Sequence, residues 1–165
     1  MPYVMFHSRF PRIAERETRT IILSERSSGL PPGHYSLLDM YCDEPKCDCR
    51  RVMFSVFVST SQSIEAVIAY GWESRDFYVR WMHEDDPQII RELQGPVLNL
   101  ASPESPRASA ILDLVKNVAL RDTQYVERLQ NHYRMFRETV DVKPGSRGRR
   151  KKKKPLVGEN LVAQT

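Results

Sequence analysis

All three cysteines of this chain lie within eight residues, at Cys42, Cys47 and Cys49, between two apolar runs. Proline and short polar residues separate them, so the segment is predicted to be a turn that joins two buried elements. Thiolate sulfur is a favoured ligand of Zn²⁺, and the C-x₄-C spacing of the first pair is within the usual range for one zinc knuckle. The cluster therefore predicts a metal-stabilised turn, because metal binding and folding are coupled in small sites of this kind.

The residues on either side of the cysteine turn have the alternating pattern of β-strands. Tyr35–Tyr41 precedes the turn, Arg51–Ser59 follows it, and Ile64–Tyr70 comes after a short polar segment; a further short strand is expected at Arg19–Leu23. In the run after the turn, every other residue is apolar, which places one set of side chains on a single face. That set is Val52, Phe54, Val56 and Val58. These runs predict an antiparallel meander whose first two strands are connected by the cysteine turn.

The second half of the chain changes to a helical period with capping signals. Serine, aspartate and proline precede its apolar segments, and these residues commonly start helices. The predicted starts, and the Gly-Pro pair that ends the second helix, are Ser74, Asp86-Pro87, Gly95-Pro96, Ser105-Pro106 and Asp122. Strands followed by helices predict an α+β fold, with three to four helices packed on a small antiparallel sheet.

The chain divides into three segments by composition. Residues 1–17 have no clear period and are expected to form a loosely held N-terminal arm, residues 18–142 an α+β domain with the zinc knuckle, and residues 143–165 a disordered basic tail. The tail has eight basic residues and one acidic residue, a net charge of +7, which leaves −3 for residues 1–142. Arg147–Lys154 is therefore a candidate contact for a nucleic acid or another anionic surface, and the alternative is a solvated tail that aids solubility.

The sequence offers several candidates for the fourth ligand of the predicted site. His132 lies on the predicted buried face of the last helix, where it can point toward the sheet; the alternative for it is a hydrogen-bonded core histidine. His83, Asp43, Asp48 and water are further candidates. The predicted ligand set is Cys42, Cys47, Cys49 and His132.

No motif in the sequence predicts catalysis. The chain has no H-E-x-x-H, no phosphate-binding glycine loop and no G-x-S-x-G. The sequence therefore predicts a structural zinc module with an accessory or interaction role. Three alternatives stay open: a nucleic-acid-associated protein that acts through its tail, a metal-dependent or thiol redox enzyme that uses Cys47 and Cys49, and a turn whose thiols bind nothing.

The N-terminus and the hydropathy of the chain bear on its compartment. The first residues lack the apolar region of a secretory signal, and no run approaches the roughly 20 apolar residues of a membrane helix. We therefore expect a protein of the reducing cytoplasm, where clustered cysteines are typical of metal or redox sites rather than of structural disulfides.

The cysteine turn and its surroundings also resemble a known family. Tyr41–Val52, with Ala69–Ser74, Phe77-Tyr78, Trp81 and later His132–Arg134, is similar to an uncharacterised bacterial domain related to the segment that often precedes SEC-C metal-binding motifs. The resemblance covers roughly residues 18–140 and implies a fold but no assigned activity. Such proteins often end in a cysteine-rich zinc motif. Residues 143–165 contain no cysteine or histidine, so the resemblance implies no second metal site.

Overall fold

The computed structural model describes residues 2–141 of the 165-residue chain. Its strands form one antiparallel sheet and are β1 (Tyr3–Met5), β2 (Arg19–Leu23), β3 (Gly33–Cys42), β4 (Arg51–Val58), β5 (Ser63–Gly71) and β6 (Val97–Leu98). The strand order is β1-β3-β4-β5-β6. Strand β2 also pairs with β3: β2 pairs with the first half of β3, and β1 pairs with its last residues. The predicted meander is confirmed, with the cysteine turn between β3 and β4.

Three helices of the described residues begin at predicted caps, whereas the helix predicted to start at Ser105-Pro106 begins at Ala108 and has no side-chain cap. Ser74, Asp86 and Asp122 accept hydrogen bonds from backbone N–H groups two or three residues later, as N-caps do. The helices are α1 (Phe6–Arg9), α2 (Pro11–Glu17), α3 (Arg75–Met82), α4 (Pro87–Gln94), α5 (Ala108–Leu114, continued by a π-helical turn at Val115–Ala119) and α6 (Thr123–Asp141). The α+β prediction is confirmed. Within residues 2–141, none of the helices combines the length and the apolar character needed to cross a membrane.

One face of the sheet carries the main core. The alternating apolar residues of β4 identified from the sequence are all fully buried, and α6 packs on this face. Tyr125 of α6 stacks near Phe54 of β4 with ring centroids 6.3 Å apart, and Phe136 contacts Tyr41 of β3 at 5.7 Å. Since burying a side chain of the size of Phe contributes about 1.5–3 kcal/mol, these contacts fix α6 across the centre of the sheet.

The N-terminal residues differ from the prediction. We expect a loosely held arm over residues 1–17, whereas residues 3–17 form β1, α1 and α2 and contribute to the core. Phe6 of α1 is fully buried, and its ring stacks on that of His132 with centroids 4.0 Å apart. These elements are three, four and seven residues long. They are too short to show a period in the sequence, so the pattern does not reveal them.

Several segments meet at the end of the sheet where the cysteine turn lies. β1 begins and β3 ends there, since Tyr3 pairs with Cys42. β4 begins and β5 ends there as well, since Arg51 pairs with Gly71. The C-terminal half of α6 reaches the same place, where Arg137 donates a hydrogen bond to the carbonyl of Cys42. The turn is therefore held between the sheet and α6.

Replacing Phe6 with alanine is expected to destabilise the protein by about 3–5 kcal/mol, because the change removes a fully buried ring from the core. Ile22→Ala is the matched control: Ile22 on β2 is 66% exposed, and its truncation should cost less than about 0.5 kcal/mol. Urea unfolding of both variants measures the difference. Equal stability of the Phe6→Ala variant and the original chain would show that the N-terminal segment is a loosely held arm.

Candidate metal centre

The cysteine turn brings three thiol sulfurs together. The Sγ atoms of Cys42, Cys47 and Cys49 lie within 4.8 Å of one another, and all three residues are present as thiols. Zn–S bonds of about 2.3 Å at tetrahedral angles separate neighbouring sulfurs by about 3.8 Å, so shifts of about 1 Å are enough to close the site around an ion. The three cysteines are therefore close enough to bind a metal ion.

Two residues of the turn adopt a left-handed backbone conformation, Lys46 with φ of 64° and Arg50 with φ of 46°. This conformation is costly for residues that carry a Cβ atom. Both are held by α6, since the N–H of Lys46 donates to the Asp141 carboxylate at 2.9 Å and the N–H of Arg50 donates to the Tyr133 hydroxyl at 3.4 Å. The helix thus maintains the backbone shape that brings the sulfurs together.

Burial and directed hydrogen bonds shift the pKa values of the two buried thiols in opposite directions, and burial has the larger effect. Burial is the main reason that the pKa of Cys49 rises to about 12 and that the pKa of Cys42 also rises, and the neighbouring thiols add to both shifts. Against this, the N–H of Glu44 donates to the Cys42 sulfur and the N–H of Arg51 donates to the Cys49 sulfur. Each donor lies two residues after its cysteine. These N–H groups favour the thiolate, and a bound cation would offset the penalty that remains.

The guanidinium of Arg137 fastens α6 to the turn. It is largely buried and donates to the carbonyls of Cys42 at 3.1 Å and Glu44 at 3.0 Å. It also donates to both carboxylate oxygens of Asp141, at 2.6 Å and 3.2 Å, and Asp141 in turn accepts the N–H of Lys46. The Arg137–Asp141 pair therefore organises the backbone on which the cysteines lie.

The carboxylates near the cysteines are bound by arginines. Arg50 donates to both oxygens of Asp48 at 2.9 Å and to Glu73 at 3.0 Å. Asp43 pairs with Arg9 at 3.8 Å. Among residues 2–141, the His, Cys, Asp and Glu side chains grouped closely enough to hold a metal here are the three cysteines alone. The structure therefore does not bring Asp43 or Asp48 into the ligand set.

His132 belongs to a different cluster, which corrects the ligand set predicted from the sequence. Its Nδ1 lies 2.8 Å from an oxygen of Asp39, and its Nε2 lies 3.0 Å from an oxygen of Glu17. Both ring nitrogens are thus occupied by carboxylates, and the ring stacks on Phe6. This is the alternative of a hydrogen-bonded core histidine. His83, the second histidine considered, is exposed at the C-terminus of α3 and is not grouped with the cysteines.

Other residues at the site come from distant segments, and one of them, Tyr3, is not predicted from the sequence. Trp72, just after β5, packs edge-on against Tyr133 of α6 with ring centroids 5.3 Å apart. The Tyr133 hydroxyl donates to Asp48 at 3.4 Å, and Tyr3 of β1 lies opposite Cys42. The apolar face of α6 predicts that Tyr133 is buried, but no local pattern in the sequence connects Tyr3 with the cysteines.

Comparison with known proteins gives no information about the site. No protein-family model, no curated protein and no solved structure matches the chain. The three-cysteine turn, which is enclosed by α6 and the end of the sheet, can hold a metal ion.

The cluster around His132 predicts a pH dependence of stability. Burial lowers the pKa of His132, but its hydrogen bonds to Asp39 and Glu17 outweigh burial, and the net shift is upward. A pKa raised in the folded state stabilises the fold below the unfolded value of about 6.5, and this contribution is lost as the pH rises through the folded pKa. The free energy of unfolding should therefore fall as the pH rises above about 6.5, by at most about 1.4 kcal/mol per pH unit for this proton.

The substitution His132→Gln should remove this pH dependence. Urea unfolding between about pH 6 and pH 8, at constant metal content, measures the slope in each variant. His34→Gln is the control, because His34 is exposed on β3 and its replacement should leave the original slope. An unchanged slope in the His132→Gln variant would mean that another group binds the proton.

Proposed function

We propose that this chain binds one structural zinc ion through Cys42, Cys47 and Cys49 and serves as an accessory or interaction module. The observation that carries the proposal is the convergence of three sulfurs within 4.8 Å, in a turn held by hydrogen bonds from α6. The donor chemistry supports zinc, because thiolates suit Zn²⁺ whereas Mg²⁺ and Ca²⁺ take oxygen ligands.

The surroundings of the sulfurs support a structural role over a catalytic one. Three thiolates donate negative charge to the metal and weaken it as a Lewis acid. The acids beside the turn, Asp48 and Asp141, are paired with Arg50 and Arg137 and are not positioned as proton carriers. Two of the three cysteines are fully buried, which suits an ion that acts as a link inside the fold.

The other functions considered from the sequence stay predictions. Arg147–Lys154, the segment expected to contact nucleic acid or an anionic surface, lies outside the described residues. Membership of the bacterial family that precedes SEC-C motifs likewise stays a prediction. A redox role for Cys47 and Cys49 differs from the zinc proposal in its product, because a disulfide between them removes two ligands and prevents metal binding.

Protein purified without added metal should contain about one zinc ion per chain, and Cys47→Ser should reduce this to less than about 0.2. Cys47 is the least buried of the three ligands, so serine should be tolerated there better than at Cys42 or Cys49. Glu44→Gln is the matched control, because its exposed side chain lies in the same turn and provides no sulfur. Plasma mass spectrometry measures the metal content of all three proteins.

Metal removal should also lower stability. A chelator should reduce the melting temperature of the original chain, and zinc restored at about 100 times its dissociation constant should add about 2.7 kcal/mol to the free energy of unfolding. The Cys47→Ser variant should respond to neither treatment. Two results together would contradict the proposal. The original chain would contain less than about 0.2 equivalents of any transition metal, and its melting temperature would be the same with and without chelator.

A further inference from the structure

The hydroxyl of Tyr3 is the polar group beside the cysteines that the rest of the fold does not use. Tyr3 begins β1 and is paired in register with Cys42 on β3. Residues directly opposite each other in an antiparallel pair have their side chains on the same face, with Cβ atoms about 4.5–5.5 Å apart. The pairing therefore directs the Tyr3 ring toward the sulfur cluster.

This hydroxyl is buried and makes no hydrogen bond to an oxygen or nitrogen of residues 2–141; the polar group that it approaches is the Cys49 thiol. Buried tyrosine hydroxyls usually find a partner, and leaving one without a partner costs about 1–3 kcal/mol. The Cys49 and Cys42 thiols lie close enough to raise the pKa of Tyr3, after burial as the larger cause. A buried phenol whose polar neighbours include two of the proposed ligand sulfurs is what a site missing its fourth ligand would contain.

The other candidate ligands are engaged elsewhere. Both nitrogens of His132 face carboxylates, and Asp48 is bound through both oxygens by Arg50. Among the buried side-chain oxygens of residues 2–141, the one at the sulfurs that lacks an oxygen or nitrogen partner belongs to Tyr3.

We propose that the phenolate oxygen of Tyr3 is the fourth ligand of the metal held by Cys42, Cys47 and Cys49. This inference rests on the proposed zinc site. On binding, the hydrated divalent ion exchanges its water ligands for three thiolates and one phenolate, and four protons pass to the solvent; no atom changes oxidation state. The four ligands carry more negative charge than the ion neutralises.

Two arginines offset that excess charge. Arg51 is near enough to lower the pKa of Tyr3, against the larger effect of burial, and Arg137 acts in the same way on Cys42. Arg51 is held in place by the carbonyls of Leu93 at 2.8 Å and Glu92 at 3.0 Å, to which it donates. The positive charges are therefore fixed at the site rather than supplied by mobile surface side chains.

The test uses the full-length chain with Co²⁺ in place of zinc, in D₂O. Deuterium electron–nuclear double resonance detects water bound directly to the cobalt. In the original chain we expect no metal-bound deuterons, because the phenolate occupies the fourth position. In Tyr3→Phe we expect one cobalt per chain, a bound-water signal, and an affinity at least about tenfold weaker.

Tyr35→Phe is the matched control, since Tyr35 is a fully buried tyrosine at the opposite end of β3 whose hydroxyl donates to the carbonyl of Pro31. It should match the original chain in affinity and show no bound water. A purely structural role for Tyr3 would weaken binding without adding a bound water.

The measurement on the original chain does not depend on whether the Tyr3→Phe variant folds. One cobalt bound with a strong bound-water signal would overturn the assignment of Tyr3 and leave the three-cysteine site intact. No cobalt bound to the original chain at all would overturn the metal site and, with it, the assignment of Tyr3.

Discussion

The backbone conformation of the cysteine turn depends on the hydrogen bonds that the buried guanidinium of Arg137 donates to it. The turn contains two left-handed residues that are not glycine, and this conformation costs roughly 1–2 kcal/mol per residue. It persists because Arg137 and Asp141 bind the carbonyls and an N–H of the turn. Arg137 and Asp141 are held in place because the apolar face of α6 is buried against the sheet. The geometry of the three sulfurs is therefore a consequence of how α6 packs.

The parts of the fold that the sequence predicts are those with local causes. The alternation of apolar residues in β4 predicts its buried face because the two sides of a strand face different surroundings. Ser74, Asp86 and Asp122 mark helix starts because each satisfies N–H groups of its own first turn. Neither signal needs information about distant residues. The two-residue strand β6 and the three-residue strand β1 have no such signal.

The features that the sequence does not predict depend on partners far away along the chain. The helical period of α6 correctly places His132 on a buried face. Whether a histidine there binds a metal or a carboxylate depends on Asp39 and Glu17, which are 93 and 115 residues away. The same holds for Phe6, whose ring is buried against Tyr41 and His132, both distant in the sequence. Periodicity thus identifies which side chains are buried, but not which residues they contact.

This distinction also explains why three of the proposed ligands are visible in the sequence and the proposed fourth is not. Cys42, Cys47 and Cys49 share one turn, so their spacing alone predicts that they converge. Tyr3 reaches them only through the pairing of β1 with β3. An ion held by the turn alone would stabilise one hairpin, whereas an ion that also binds Tyr3 would close a loop of about 40 residues, and constraining a longer loop removes more entropy from the unfolded chain. The pairing of the three-residue edge strand β1 with β3 would therefore be stabilised by metal binding if Tyr3 is a ligand.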